Sequence, residues 1–174
     1  RFVTDSNNLV GQSRTANVRV QDGDGGWSES KSVSIELIDI NDAPVFTETS
    51  GSETFSEATA TSVAVPVSLG DFGNVSDPET PLASDPSISS IVIQISSGYK
   101  PSEDSIELVT ESALVEAEFD QGSGSFIISS LTEDGLSAND VNSLLASVQY
   151  VNSSENPNTG DRKIVFEIAD LEGK

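Results

Sequence analysis

Asp39-Ile40-Asn41-Asp42-Ala43-Pro44-Val45-Phe46 decides how this chain is read. Upstream of it, Ser32–Ile40 alternates, with Val33, Ile35 and Leu37 on one face and Ser34 and Glu36 on the other. That is the period of a half-buried strand. Ile38 and Ile40 interrupt the polar face near its end. Asp39, Asn41 and Asp42 then place side-chain oxygens at the strand's end. Pro44 cannot donate to a ladder, so it belongs at a strand start or a sheet edge. The stretch therefore predicts a boundary, with one β-rich unit closing before Pro44 and the next opening at Val45–Phe46. An extended Asp/Asn cluster suits a hard cation, because Ca²⁺ takes about six to eight oxygen ligands. The plainer reading is a solvated turn, the usual place for Asp, Asn and Pro.

Composition narrows the function classes. The 174 residues include 29 acidic and 8 basic side chains, a formal charge of −21. Nucleic-acid binding needs clustered Lys and Arg, so such a partner is not expected. An anionic membrane surface is unfavourable for the same reason, and no apolar run reaches membrane-spanning length. Charge of this size opposes compaction unless cations neutralise it. Regular Val/Ile alternation argues against disorder, the other reading of an acidic chain. Cys and His are both absent. Disulfides, thiolate metal sites and the commonest general base and zinc ligand are thereby excluded. The chain has no Met and reads as an internal piece of something larger.

Phe2–Gly26 aligns without gaps on Tyr150–Lys174. Val3, Ser6, Asn8, Arg14, Asp22 and Gly25 recur as Val151, Ser154, Asn156, Arg162, Asp170 and Gly173. Phe2 with Tyr150, Val18 with Phe166, Val20 with Ile168 and Asp24 with Glu172 are conservative pairs. Self-similarity at fixed spacing marks a tandem array. Residues 1–43 are then the closing strands of one module. Residues 44–174 are a second module whose last strand is expected beyond Lys174, and strand donation by a neighbouring chain is a subsidiary possibility.

Within these units the expected strands are Ala16–Val20 and Ser30–Ile40, joined by a hairpin turn at Asp22–Gly26. Val63, Val65, Val67 and Leu69 alternate, and Pro66 makes that run an edge strand. Ile91, Ile93 and Ile95 mark a central strand. Gly98–Asp104 reads as a loop, and Ser105–Val109, Ala113–Phe119, Ser125–Ser129, Gln149–Asn152 and Lys163–Ala169 as strands. Ser137–Val148 is the exception. Ser137 and Asp140 have capping-box spacing, and Val141, Leu144, Leu145 and Val148 recur at helical intervals. Many short strands, turns between them and one helix predict an all-β class of antiparallel β-sandwich repeats.

The linker resembles the Asp-x-Asn-Asp-Asn-x-Pro-x-Phe junction of cadherins, in the shortened form found in cadherin-like tandem repeats of very large surface proteins and adhesins. It lacks the second Asn after Asp42, and the chain has no Asp-Arg-Glu motif. Phe55/Glu57, Asp77-Pro78-Glu79, Tyr150/Asn152/Ser154, Arg162 and Asp170/Gly173 follow the order of such repeats and are similar to the chondroitin-sulfate-proteoglycan type. The resemblance implies an Ig/cadherin-like sandwich, an extracellular or cell-surface setting, and adjacent repeats as partners. Like chains in a fibre, or a surface glycan or protein, are further partners it allows.

Cation binding is the leading candidate chemistry. Asp39, Asn41 and Asp42 would combine with Asp77 and Glu79 and with Asp22 and Asp24. Glu57, by resemblance, serves a module boundary, and Asp170 and Glu172, as repeat-mates of Asp22 and Asp24, serve the next. Ca²⁺ would neutralise these carboxylates and turn a hinge into a stiff joint; solvated acidic turns are the alternative. Glu116 and Glu118 have the residue types of a glycosidase pair but alternate on one exposed face, and no enzyme is expected. Asn74-Val75-Ser76 and Asn152-Ser153-Ser154 fit the glycosylation pattern, as do ordinary loop asparagines. Trp27 and Tyr150 read as packing residues and Tyr99 as a loop aromatic. The expected function is a structural or adhesive module of a stalk or surface fibre. A glycan- or protein-binding module, or an accessory domain of a secreted polysaccharide-degrading enzyme, is the alternative.

Overall fold

The computed structural model describes residues 13–37, 42–48, 51–59, 64–78 and 86–173. The chain divides into two units, Arg1–Asn41 and Asp42–Lys174. That division lies beside Pro44, two residues before the boundary expected after Ala43.

In the first unit β1 (Ser13–Val18) and β2 (Lys31–Glu36) form an antiparallel hairpin. Its turn is built on Asp22, whose Oδ1 accepts the N–H of Asp24 at 3.1 Å and of Gly26 at 2.7 Å. Gly25 takes φ +90° in that turn, a conformation that costs residues with a Cβ. Trp27 lies at the base of the turn with the Arg19 guanidinium 4.1 Å from its ring centre. Among the described residues of this unit none is buried, and Val33, expected on a covered face, is 56% exposed. The two strands described here offer each other no second layer to bury an apolar face.

The second unit contains β3 (Val45–Glu48), β4 (Val67–Ser68), β5 (Gly73–Ser76), β6 (Pro86–Ser97), β7 (Asp104–Leu108), β8 (Val115–Asp120), β9 (Ser125–Ser130), β10 (Leu136–Ser137), α1 (Ala138–Leu145), β11 (Val148–Asn152) and β12 (Lys163–Asp170). All pairings are antiparallel. β12 runs along one edge of β6, and β9 then β8 along the other, with β10 joining β6 at Ile88. A second sheet has the order β4-β11-β7, and β3 pairs with β5. The architecture is all-β and sandwich-like, with one short helix among the described residues.

The central strand is where the isoleucines placed it. Ile88, Ile91 and Ile93 on β6 are fully buried and Ile95 nearly so. They pack with Phe126 and Ile128 of β9, Ile106 of β7 and Val148 and Tyr150 of β11. Burying an aliphatic side chain contributes about 1.5–3 kcal/mol each, so this row dominates the core. α1 adds Ala138, Val141, Leu144 and Leu145 to it. Its start is fixed by a reciprocal cap: Ser137 Oγ accepts from the Asp140 N–H, and Asp140 Oδ2 accepts from the Ser137 N–H, both at 3.1 Å.

Three expectations need correction. Val148 belongs to β11 rather than to the helix, because the chain turns at Ala146–Ser147 and Val148 then alternates inward with Tyr150 and Asn152. Of the alternating run near Pro66, only Val67–Ser68 forms a strand, with Val65 in an isolated bridge to Ser56 and residues 60–63 outside the described part. β4 is an edge strand of its sheet, as Pro66 requires. Asp104 is not a loop residue; it opens β7 on the inward face, in phase with buried Ile106.

Candidate functional site: a buried carboxylate and two acidic turns

Asp104 is 1% exposed. A buried carboxylate is costly unless it is paired and hydrogen-bonded, and this one is both. Arg162 forks onto it, with Nε 2.9 Å from Oδ2 and Nη2 3.1 Å from Oδ1. The Tyr150 hydroxyl donates to Oδ1 at 2.6 Å and the Asn152 amide at 2.8 Å. The Lys100 N–H donates to Oδ2 at 2.8 Å. A carboxylate has about four lone-pair sites, so these donors leave none for a cation or a substrate proton.

The strands explain the convergence. β7 and β11 are adjacent, with Asp104 opposite Asn152 and Ile106 opposite Tyr150. Asp104, Tyr150 and Asn152 therefore face inward at one end of the sandwich. Arg162 arrives just before β12 and holds its own loop: Nη1 donates to the carbonyls of Asn158 at 2.8 Å and Gly160 at 2.6 Å. Glu103 adds a looser ion pair, 3.5 Å from Nη2, and accepts the Asn158 N–H at 2.9 Å. The loops before β7 and before β12 are thus laced to one carboxylate.

Ionisation follows the geometry. Burial works to raise the pKa of Asp104, but the Arg162 fork, the Tyr150 hydroxyl and the Lys100 N–H outweigh it and hold the carboxyl below its usual range. Burial first, and then the bond to the Asp104 carboxylate, push the Tyr150 phenol up to about 12. The bond to Asp104 raises Arg162 further above its ordinary value.

The expected cation ligands are placed differently. Asp22 and Asp24 are exposed in the first unit's turn, and Asp42 and Glu57 are exposed in the second unit. Asp77 is 6% and Asp170 3% exposed. Ser87 Oγ donates to Asp77 Oδ2 at 2.6 Å, and Ser89 Oγ donates to the Asp170 carbonyl at 2.6 Å. Asp39, Asn41 and Glu79 lie outside the described residues. Glu172 is exposed, and its N–H donates to Asp170 Oδ1 at 2.8 Å. The donors are hard oxygens, the type Ca²⁺ takes, but among the described residues no group of three or more acidic side chains is placed to hold a metal ion.

The two sequons also differ. Asn74 is exposed on β5. Asn152 is 5% exposed, with its amide nitrogen committed to Asp104 and its carbonyl to the Ser154 N–H at 3.0 Å. In the folded chain it is a core asparagine with no amide open to a glycan. Glu116 and Glu118 are exposed on β8. Tyr99 packs edge-on against Phe119 and donates its hydroxyl to the Gln121 carbonyl at 2.7 Å, which ties two loops together.

A shallow concavity of about 520 Å³ is lined by Ile106, Leu108, Val115, Ala117 and Phe119 with Glu107 and Glu111. None of the Asp104 network's side chains lines it. Among the described residues no helix is long and apolar enough to cross a membrane. Comparison of the chain with protein-family models, with curated proteins and with solved structures returned no match.

Proposed function

We propose that this chain is a structural module of an extracellular tandem array, cadherin-like in plan, whose work is spacing and stiffness in a stalk or surface fibre. One observation carries the reading: the turn after β12 repeats the turn after β1. Asp170 Oδ1 accepts the Glu172 N–H at 2.8 Å, as Asp22 Oδ1 accepts that of Asp24 at 3.1 Å. The Gly173 N–H reaches the Asp170 carbonyl at 3.2 Å, as Gly25 reaches that of Asp22 at 3.3 Å. Both glycines are left-handed, at φ +79° and +90°. A turn of the same construction at repeat-equivalent positions is what a tandem array requires.

In this reading Ca²⁺ is taken up at the linker by the Asp39 and Asp42 carboxylates and the Asn41 amide oxygen, and by the turn acids. It offsets their mutual repulsion and stiffens the array. The partners are adjoining repeats. The test is thermal unfolding of the whole chain with millimolar Ca²⁺ and again after chelation, beside Na⁺ at matched ionic strength. A rise in Tm with Ca²⁺ alone, reversed by the chelator, is expected; equal shifts with both salts, or none, would sink the cation part of the proposal.

A further inference from the structure

β7 is the last strand of the order β4-β11-β7, β8 is the last of β10-β6-β9-β8, and residues 109–114 join them. Among the described residues no strand pairs with the outer edge of either. Both lie inside the continuously described stretch 86–173. The shallow concavity is the seam between them, with Ile106 and Leu108 from β7 and Val115, Ala117 and Phe119 from β8. Those three are the inward row of β8, yet only Val115 is buried; Phe119 is half-buried and Ala117 exposed. β8 holds an unbroken register on β9, from Val115 opposite Ser130 to Asp120 opposite Ser125, and carries no Pro. Such an edge is a template for a further strand unless it is blunted.

Charge says which strand fits. Residues 103–120 hold seven acidic and no basic side chains, where 29 acids in 174 residues would give about three. Arg162 engages Glu103 and Asp104, and Asp120 bonds its own turn. Glu107, Glu111, Glu116 and Glu118 are exposed and form no salt bridge among the described residues. Glu107 and Glu111 flank the seam, and Glu116 and Glu118 lie along the outer face of β8. Like charges directly opposite each other are destabilising in a sheet, and opposite charges stabilise it. The acidic row therefore repels a second copy of this chain, whose formal charge is −21, and attracts a basic strand.

We propose that the outer edge of β8 and the seam beside it form a docking site for an extended basic segment of another protein, in which Lys or Arg alternates with apolar residues. The addition is of the β-augmentation type, where main-chain bonds give affinity and alternate side chains give specificity. Laid antiparallel, such a segment sets apolar side chains opposite Val115, Ala117 and Phe119 and basic ones opposite Glu116, Glu118 and Asp120. A slip of one residue would turn the basic side chains into the seam. The proposal rests neither on the tandem-array reading nor on Ca²⁺.

The probe is the capped peptide Lys-Val-Lys-Val-Lys-Val, labelled for fluorescence anisotropy and titrated with the full chain in chelator. Two peptides of equal charge accompany it, one with Ser for each Val and one with Lys and Val in separate blocks. We expect both to bind about tenfold more weakly. The double variant Glu116→Lys/Glu118→Lys should raise Kd for the alternating peptide at least about tenfold. Glu155→Lys/Glu167→Lys makes the same change of net charge at exposed sites away from β8 and should leave Kd within about twofold of the parent. The alternating peptide should also slow amide exchange over residues 115–120 about tenfold and leave residues 163–169 unchanged. Equal affinity for the three peptides, equal losses in the two double variants, protection at residues 163–169 instead, or no binding at millimolar peptide would each overturn the assignment. So would a dimer of the parent alone, seen by sedimentation and lost in Glu116→Lys/Glu118→Lys, which would give the edge to a second copy. None of these readings depends on the Ca²⁺ effect on Tm, so either proposal can fail without the other.

Discussion

Arg162 meets Asp104 through two of its nitrogens, Nε at 2.9 Å and Nη2 at 3.1 Å, with the carboxylate fully buried. The fork brings the start of β12 to the start of β7, strands in different sheets of the sandwich. A planar guanidinium matches both carboxylate oxygens at once, and a lysine ammonium cannot.

Removing the arginine leaves a buried charge without its counterion, which costs about 3–5 kcal/mol. Arg162→Ala is therefore expected to lower the denaturation midpoint of the second unit severely. Arg162→Lys should recover only part of the loss, because the bonds to Asn158 and Gly160 also go. Chemical denaturation of the three proteins checks this; a lysine variant as stable as the parent would show that the fork's geometry is irrelevant.

Acid should act through the same residue. The folded-state pKa of Asp104 is held below its ordinary value. A depressed carboxylate contributes stability that is present above its unfolded pKa, about 3.9, and is lost as pH falls through the lower folded value. Stability should therefore drop below about pH 4, and Asp104→Asn should flatten that part of the profile while being less stable at neutral pH. Urea unfolding at stepped pH is the measurement. Parallel profiles for parent and variant would place the acid sensitivity elsewhere.

Tyr150 titrates at the other extreme. Its pKa is pushed up to about 12, by burial first and by the Asp104 carboxylate second. A raised folded pKa gives stability that is complete below the unfolded value, about 10, and lost as pH rises toward the folded one. The parent should weaken between about pH 10 and 12, and Tyr150→Phe should not share that component. At neutral pH the phenylalanine variant gives up one hydrogen bond to a charged group, about 1.5–3 kcal/mol. Its ring still meets Phe55 edge-on at 5.8 Å between centroids, so packing is kept and the loss isolates the hydroxyl.

How far these residues were legible depended on what carried the signal. The row Ile91, Ile93, Ile95 announced a central strand because period-two burial is local and needs no partner to be read. The cap of α1 was equally local, Ser137 and Asp140 being three residues apart. Asp104 was hidden, since nothing in the acidic stretch near it names Arg162, which folding brings from far along the chain. A faint sign existed: Asp104 is in phase with Ile106, and Asn152 with Val148 and Tyr150, so both polar residues sit on core faces. Tyr150, Asn152 and Arg162 were legible as a recurring order but not as a cluster around one carboxylate. The acidic turns were legible as turns but not in their bonding, because a run of carboxylates cannot say which oxygens backbone N–H groups take up, as they do Asp22 Oδ1.

Asn142 offers the most discriminating single substitution. From α1 its side chain engages the main chain of β5 twice: Oδ1 accepts the Val75 N–H at 2.8 Å, and Nδ2 donates to the Val75 carbonyl at 3.2 Å. The amide takes the place of a neighbouring strand at that residue, which is 4% exposed. Asn142→Ala leaves a donor and an acceptor without their partner and should cost about 1–3 kcal/mol. Asn142→Asp keeps the acceptor, loses the donor, and sets a negative charge against a carbonyl oxygen, so at neutral pH it should be the worse of the two. Protonation restores a donor. The introduced carboxyl should therefore have a raised folded pKa, and its penalty relative to the parent should shrink as pH falls through the carboxylate range. Unfolding free energies of parent, Ala and Asp variants at neutral pH and at about pH 4.5 decide it. A penalty for Asp that does not change with pH would mean the side chain has turned away from Val75, and the strand-mimicking role would be lost with it.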